Sequence, residues 1–260
     1  MKKYLAFLLA AAGMNSACAG QSATPTDKDT RTPEETPENS DTFTTTSGKT
    51  VTIEPLIHAS LRITFDGKEI EIDPVGNLNQ RTTNYADFPK ADYIFVTHEH
   101  HDHLDKQAIE NLTGEKTRLF ANPNSVEIIG AGETLRNGDE VTLGEGMTVV
   151  AVPAYNTTEG HLQFHPKGRD NGYILTLDGL RIYIAGDTEV IPEMKEIKDI
   201  DIAFLPCNQP YTMTPEQFVE AAEIIRPKVV YPYHFGNTDL SSIPEKLKGS
   251  GIEVRLRPFD

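Results

Sequence analysis

Cysteine is almost missing from the chain. Cys18 and Cys207 are the only two in 260 residues, so no intrachain disulfide is expected in the mature domain, even in a compartment that permits one. Cys207 follows the apolar run Ile202-Ala203-Phe204-Leu205 and reads as a small residue near the core, not a nucleophile or a ligand. Basic excess is missing as well. The chain carries 24 Lys and Arg against 39 Asp and Glu, a net charge of −15. There is no basic stripe, which disfavours nucleic acid and anionic membrane surfaces as partners. Long apolar runs are also missing. Leu5-Ala6-Phe7-Leu8-Leu9-Ala10-Ala11-Ala12 is too short to span a bilayer as a permanent helix. What remains is a chain of ordinary hydrophobic content, long enough for one large domain or two small ones.

Met1-Lys2-Lys3 before that short apolar run, with small residues after it, reads as a secretory signal. Two processing routes are open. Ser16-Ala17-Cys18 resembles a bacterial lipobox, with Asn15 where leucine is usual, and would make Cys18 a lipidation site. Alternatively Ala17-Cys18-Ala19 is a cleavage site and the product is soluble. The expectation is an exported bacterial protein, periplasmic or a membrane-anchored lipoprotein, that meets the membrane only through its N-terminal anchor. Residues 20–47 are rich in Ser, Thr, Pro and acidic side chains and read as a flexible linker. The folded domain is expected over residues 48–260.

There the pattern turns to strands. Leu61–Phe65 alternates, turns at Asp66-Gly67 and returns as Ile70-Glu71-Ile72-Asp73. Tyr173–Leu177 turns at Asp178-Gly179 and returns as Ile182 to Asp187. Asp-Gly between alternating runs signals a hairpin, and both returning strands end at an aspartate. This weak internal duplication points to two similar β-rich halves. Helices fall between and after them. One is expected over Lys106–Asn111. Another starts at Thr214, with Pro215 in its first turn and Gln217 as capping partner, and stops before Pro227. Val229-Val230-Tyr231 is a strand leading to His234, and Ile252–Leu256 closes the chain as an alternating strand. Pattern alone supports an α/β fold with two sheets.

The chemistry is concentrated in Thr97-His98-Glu99-His100-His101-Asp102-His103-Leu104. The apolar run Ala91–Val96 before it is a buried strand that delivers the cluster at its C-terminal end. His98 and His100 are two apart and share a face of an extended segment. Asp102 and His103 follow where the chain can turn back toward the same cavity. Imidazole mixed with carboxylate suits zinc and other borderline metals. A solvated His-rich tract would lack both the buried strand and the ordered mixture. Ile182 to Asp187, through Gly186, ends another buried strand at a carboxylate, and glycine there permits close backbone approach.

His98, His100, Asp102 and His103 resemble the HxHxDH motif of the metallo-β-lactamase superfamily, which leaves His101 outside the ligand set. The resemblance is closest to its ascorbate-6-phosphate lactonase-like branch. It implies a four-layer αββα sandwich with a single catalytic domain. It also makes Asp187 the aspartate bridging two metals and His234 the last histidine. The third motif departs from the pattern: where related hydrolases carry histidine, this chain reads Tyr155-Asn156. His165, in the turn Phe164-His165-Pro166-Lys167-Gly168, is taken as the replacement, with His161 and Asn156 as alternatives. One metal would then be held by His98, His100, His165 and Asp187, and a second by Asp102, His103, Asp187 and His234.

Asp102 and Asp187 are the expected catalytic carboxylates. Asn156, His58 and Glu189 are candidates for substrate binding or for supporting the ligands. The implied activity is a metal-dependent hydrolase with two divalent ions, zinc first and iron or manganese as alternatives. Metal-bound hydroxide would attack an ester, lactone, amide or phosphoester of a small molecule. No long cap is inserted after Asp187, as the nucleic-acid-processing branch would require. The rival readings are an iron-dependent oxidoreductase of the same fold and a non-catalytic metal-binding surface lipoprotein. His100 argues against the diiron form, which usually has glutamate at that position.

Overall fold

The computed structural model describes residues 39–259. Cys18 and the predicted leader lie outside the described residues. Among the described residues, no helix is long and apolar enough to cross a membrane.

The first sheet is built from β1 (Asp41–Thr44), β2 (Thr50–Pro55), β3 (Leu61–Phe65) and β4 (Lys68–Ile72), which run antiparallel to one another. A small hairpin, β5 (Asn77–Leu78) with β6 (Arg81–Thr82), leaves the sheet. Then β7 (Tyr93–Val96), β8 (Arg118–Ala121) and β9 (Glu133–Thr134) extend it in parallel from β4. The second sheet repeats the plan. β10 (Glu140–Gly144), β11 (Met147–Ala154), β12 (Asp170–Leu177) and β13 (Leu180–Ile184) are antiparallel. β14 (Ile202–Pro206), β15 (Val229–Tyr233) and β16 (Glu253–Val254) continue in parallel. Both Asp-Gly turns have positive φ at each central residue: 51° and 72° at Asp66-Gly67, 48° and 84° at Asp178-Gly179. That is the primed turn whose twist matches a two-residue hairpin. The duplication legible in the chain is therefore a repeated hairpin feeding a parallel strand.

Strand alternation sorts the apolar residues into three layers. Tyr93 and Phe95 of β7 face Ile202 and Phe204 of β14 in the core between the sheets. Ile94 and Val96 face outward to α1 (Lys106–Leu112) and α2 (Pro123–Ile129). Ala203, Leu205 and Val230 face outward to α3 (Pro215–Ile225) and α4 (Ile243–Lys246). The parallel strands β7, β14 and β15 are thus buried on both faces, which is why they read as unbroken apolar runs. The outcome is the αββα sandwich. At the start of α3, Thr214 accepts from Gln217 N at 3.1 Å while Gln217 Oε1 accepts from Thr214 N at 2.9 Å, closing the capping box.

Two expectations change at the ends of the domain. Asp41–Thr44, placed in the linker by composition, is a strand paired with β2. Phe43 packs on the inter-sheet core. Asp41 receives Arg257 Nη2 at 2.6 Å, Arg255 Nη1 at 3.0 Å and the Tyr231 hydroxyl at 2.8 Å. These partners come from far along the chain, so composition alone could not show them. The closing strand is also shorter than expected, Glu253–Val254, because Arg255 and Arg257 turn to Asp41. Partial burial pushes the Asp41 carboxyl up, but Arg257, Tyr231 and Arg255 outweigh it and hold it below its ordinary value. A lowered native value stabilises the fold above the unfolded pKa, and the contribution is lost as pH falls through the native one. Asp41→Asn should therefore cost about 2 kcal/mol at pH 7. The difference should shrink toward zero in urea unfolding below about pH 3. A penalty independent of pH would show that the charge is not what matters.

Candidate metal centre

β7 stops at Val96 and the chain curls at once. The N–H groups of His103 and Leu104 both donate to the His100 carbonyl, at 3.0 and 2.9 Å. This turn directs His98, His100, Asp102 and His103 to one cavity. The side chain of His101 is 89 % exposed and points out at the rim. β13 brings Asp187 from the second sheet, through Gly186 at φ 66°, where a Cβ would stand 2.5 Å from the Asn171 carbonyl oxygen. β15 brings His234, and the turn before β12 brings His165.

These side chains form two groups. His98, His100, His165 and Asp187 present ligand atoms within 4.8 Å of one another, and so do His58, Asp102, His103 and His234. Asp187 reaches into both groups. Its Oδ2 lies 3.4 Å from His165 Nε2 and 3.0 Å from His234 Nε2, and its Oδ1 lies 3.3 Å from His103 Nε2. Asp102 Oδ2 lies 3.3 Å from His58 Nε2 and 3.6 Å from His234 Nε2. His58, Asp73 and His234 all adopt positive φ, at 60°, 43° and 47°. Left-handed backbone in non-glycine residues is uncommon and gathers where a fold holds functional groups against strain.

The imidazoles are aimed from behind. His103 Nδ1 donates to Asp73 Oδ2 at 2.8 Å, and His165 Nδ1 to Asp170 Oδ2 at 2.9 Å. Thr97 gives its hydroxyl proton to Asp73 Oδ2 at 2.7 Å, so its oxygen accepts from His98 Nδ1 at 3.0 Å. Each Nδ1 is thereby fixed as the donor, and each Nε2 lone pair faces the cavity. The buried Nε2 atoms of His98, His103 and His234 and Oδ1 of Asp187 make no hydrogen bond. Buried polar atoms left without hydrogen bonds are costly, and a divalent cation is the partner that this donor set fits.

The electrostatics agree. Burial, with His103 next to it, holds His98 well below its ordinary value, in the neutral form a metal requires. Burial also pulls on His103 and His234. There Asp187 outweighs it, helped by Asp73 for His103 and by Asp102 for His234, and lifts His103 well up and His234 to about 9. Burial opposes ionisation of Asp187, but His234 and His103 hold it well below the carboxylate range. A bound cation replaces those protons, so metal uptake at neutral pH releases them.

The profile of the Beta-lactamase superfamily domain matches residues 52–234. The chain belongs to that superfamily. A UPF0173 metal-dependent hydrolase of Thermococcus kodakarensis is 32% identical over 207 residues, 76% of this chain and 91% of the relative. A solved Parabacteroides distasonis protein, assigned as a metal-dependent hydrolase, shares 53% identity over 85% of this chain and 99% of its own, with a TM-score of 0.82. A metallo hydrolase of Ignicoccus hospitalis shares 27% identity over 79% of this chain and 94% of its own, with a TM-score of 0.67. The αββα sandwich is thus the metallo-β-lactamase fold, and the protein is a metal-dependent hydrolase of this superfamily. These likenesses do not single out the ascorbate-6-phosphate lactonase-like branch.

Of the residues expected at this superfamily site, the structure brings together His98, His100, Asp102, His103, His165, Asp187 and His234, and it adds His58 to the second group. His58 was legible as a candidate, but not its place among ligand atoms. That place depends on a positive-φ turn whose N–H donates to the Phe259 carbonyl. Asn156 and Glu189 do not reach the cavity. Asn156 Nδ2 donates to the carbonyls of His161 and Tyr211 at 3.2 and 2.9 Å. Glu189 accepts from Thr157 N and Thr158 N, both at 2.7 Å, and from His161 Nδ1 at 3.2 Å. Both side chains brace the loop that carries His165, and His161 is part of that brace. Sequence reasoning missed Asp73, Thr97 and Asp170, the groups that aim the imidazoles. Asp73 had a visible signal, a strand ending at aspartate in the same way as the strand before Asp187.

Replacement of these groups should separate the roles. His165→Ala should lose metal after dialysis, while His161→Ala should keep it, as read by elemental analysis. Asp73→Asn should weaken metal binding about 10- to 100-fold in chelator competition. Wild-type affinity in Asp73→Asn would remove the aiming role.

Proposed function

We propose that the protein is a binuclear zinc hydrolase acting on a small-molecule ester, lactone, amide or phosphoester. The observation that carries this reading is Asp187 standing between two ligand groups, three imidazoles with it on one side, and Asp102, His103 and His234 on the other. Seven side chains are too many for one tetrahedral ion. A ligand atom of His58 also stands among those of the second group. Bound there, two divalent ions would supply Lewis acidity and a hydroxide nucleophile at neutral pH.

The chain's own groups do the rest. Asp73, Thr97 and Asp170 hold His103, His98 and His165 in one tautomer. Asp102 is the carboxylate that reaches the open cavity, with its side chain 23% exposed. Burial pushes its carboxyl up, but His234 and His58 outweigh it and hold it well below the ordinary carboxylate range, so it stays ionised and is suited to orient the attacking water. In the balanced reaction, the oxygen of water bonds the acyl carbon or phosphorus, the bond to the leaving atom breaks, and the proton of water ends on that atom. A net charge of −15 leaves nucleic acid a poor substrate.

The nuclearity has a direct test. Elemental analysis after reconstitution should give close to two metals per chain, zinc before iron or manganese. Saturation at one metal with full activity would overturn the binuclear reading. We also propose that the protein is exported and held by lipid on Cys18. Cys18→Ser should then move it from the membrane fraction to the soluble fraction or leave it unprocessed. Mass spectrometry of an unmodified chain beginning at Gly20 would establish the soluble route instead.

A further inference from the structure

The wall above the ligand groups has a composition of its own. The cavity holds about 350 Å³, within the range of a pocket for a small molecule. Among the described residues, its lining outside the His and Asp groups is Leu78, Asn79, Phe164, Asn208 and Tyr211. It contains no lysine and no arginine. The guanidinium nearest the site belongs to Arg169, whose Nη2 stands 3.4 Å from His100 Nε2. That group is already engaged. Its Nε and Nη2 donate to Asp170 at 2.6 and 2.8 Å, Nη2 also donates to the Phe164 carbonyl at 2.8 Å, and Glu99 lies 3.3 Å away. Phosphate recognition normally draws on such charged forks, and none is free here.

What the wall offers is apolar surface and neutral amides. Phe164 and Tyr211 meet edge to face, with centroids 5.0 Å apart and planes at 71°. Tyr211 is 45% exposed, one of few large apolar side chains left in solvent. The pair is held in place: Asn156 ties the Tyr211 carbonyl to that of His161, and Tyr211 N donates to the Asn208 carbonyl at 3.0 Å. A preorganised aromatic pair at the rim of a reactive cavity binds a flat apolar group at low entropic cost. The Asn208 carboxamide makes no hydrogen bond to the described residues, so its donors are free for a neutral acyl oxygen.

We infer that the site takes uncharged carbonyl substrates, esters or lactones bearing an aromatic or flat apolar group that seats on Phe164 and Tyr211, and that it disfavours phosphoesters. This rests on the hydrolase reading above and narrows its substrate class.

The metal-loaded protein should be tested on dihydrocoumarin, γ-butyrolactone, p-nitrophenyl phosphate and bis-p-nitrophenyl phosphate. The expected kcat/KM for dihydrocoumarin exceeds that for either phosphoester at least 100-fold. In Tyr211→Ala, KM for dihydrocoumarin should rise about tenfold relative to KM for γ-butyrolactone, and Tyr211→Phe should restore the ratio. A second readout avoids turnover: isochroman, which lacks the carbonyl, should show saturation-transfer NMR contact with the wild-type protein and lose it in Tyr211→Ala. Phosphoester turnover equal to that of the lactone overturns the inference, as does a KM ratio unmoved by Tyr211→Ala. If no compound is hydrolysed, the hydrolase reading falls and isochroman decides alone. Loss of its contact in the variant supports the seat, and absence of contact with wild type overturns it.

Discussion

His103 is held at both ends. Its Nδ1 donates to Asp73 and its Nε2 faces Asp187, at 2.8 and 3.3 Å, and all three side chains are almost fully buried. Asp73 follows the last strand of the first hairpin, in one sheet, and Asp187 follows its counterpart in the other. One imidazole therefore joins the two halves of the duplicated fold at their equivalent ends. Two carboxylates this deeply buried are tolerated only with partners, because removing one side of a buried pair costs about 3–5 kcal/mol. Asp73 finds Thr97 and His103 within its own half, but the sandwich must close for Asp187 to reach His98 and His103, and closing it creates the cavity.

The same economy governs the loop between β11 and β12. It brings His165 to the cavity, and its other polar groups hold its shape. Glu189 gathers the N–H groups of Thr157 and Thr158, and Asn156 joins this loop to the one bearing Tyr211. A histidine on a loop this long would wander without such ties. Asp170 then fixes the ring itself. His165 thus enters the cavity from later in the turn than Tyr155-Asn156, where the superfamily resemblance led one to expect a histidine.

The ligand-bearing strands were legible because local patterns determine them. An apolar run followed by His98, or by Gly186-Asp187, says both that a strand is buried and what it delivers. The Asp-Gly hairpins and the Thr214 capping box were legible for the same reason. Groups whose roles depend on distant partners were not. Asp170 carries no local signal until His165 is placed against it, and the strand ending at Asp73 marks the residue without naming His103 as its partner. Asn156 and Glu189 looked like cavity residues because they neighbour ligands in sequence, yet their partners lie in the loop. Asp41 was read as linker because its partners, Tyr231, Arg255 and Arg257, come about two hundred residues later.

The Phe259 carbonyl accepts the N–H of His58, and the His58 carbonyl accepts that of His234, at 2.8 and 3.0 Å. Phe259 is itself fully buried against Phe204 and Tyr233. The second ligand group is therefore framed by backbone from the start, the late middle and the end of the folded domain. No stretch of the chain that stops short of Phe259 contains that frame. A metal held by this group, as proposed, would be captured only once the backbone at His58, His234 and Phe259 has come together.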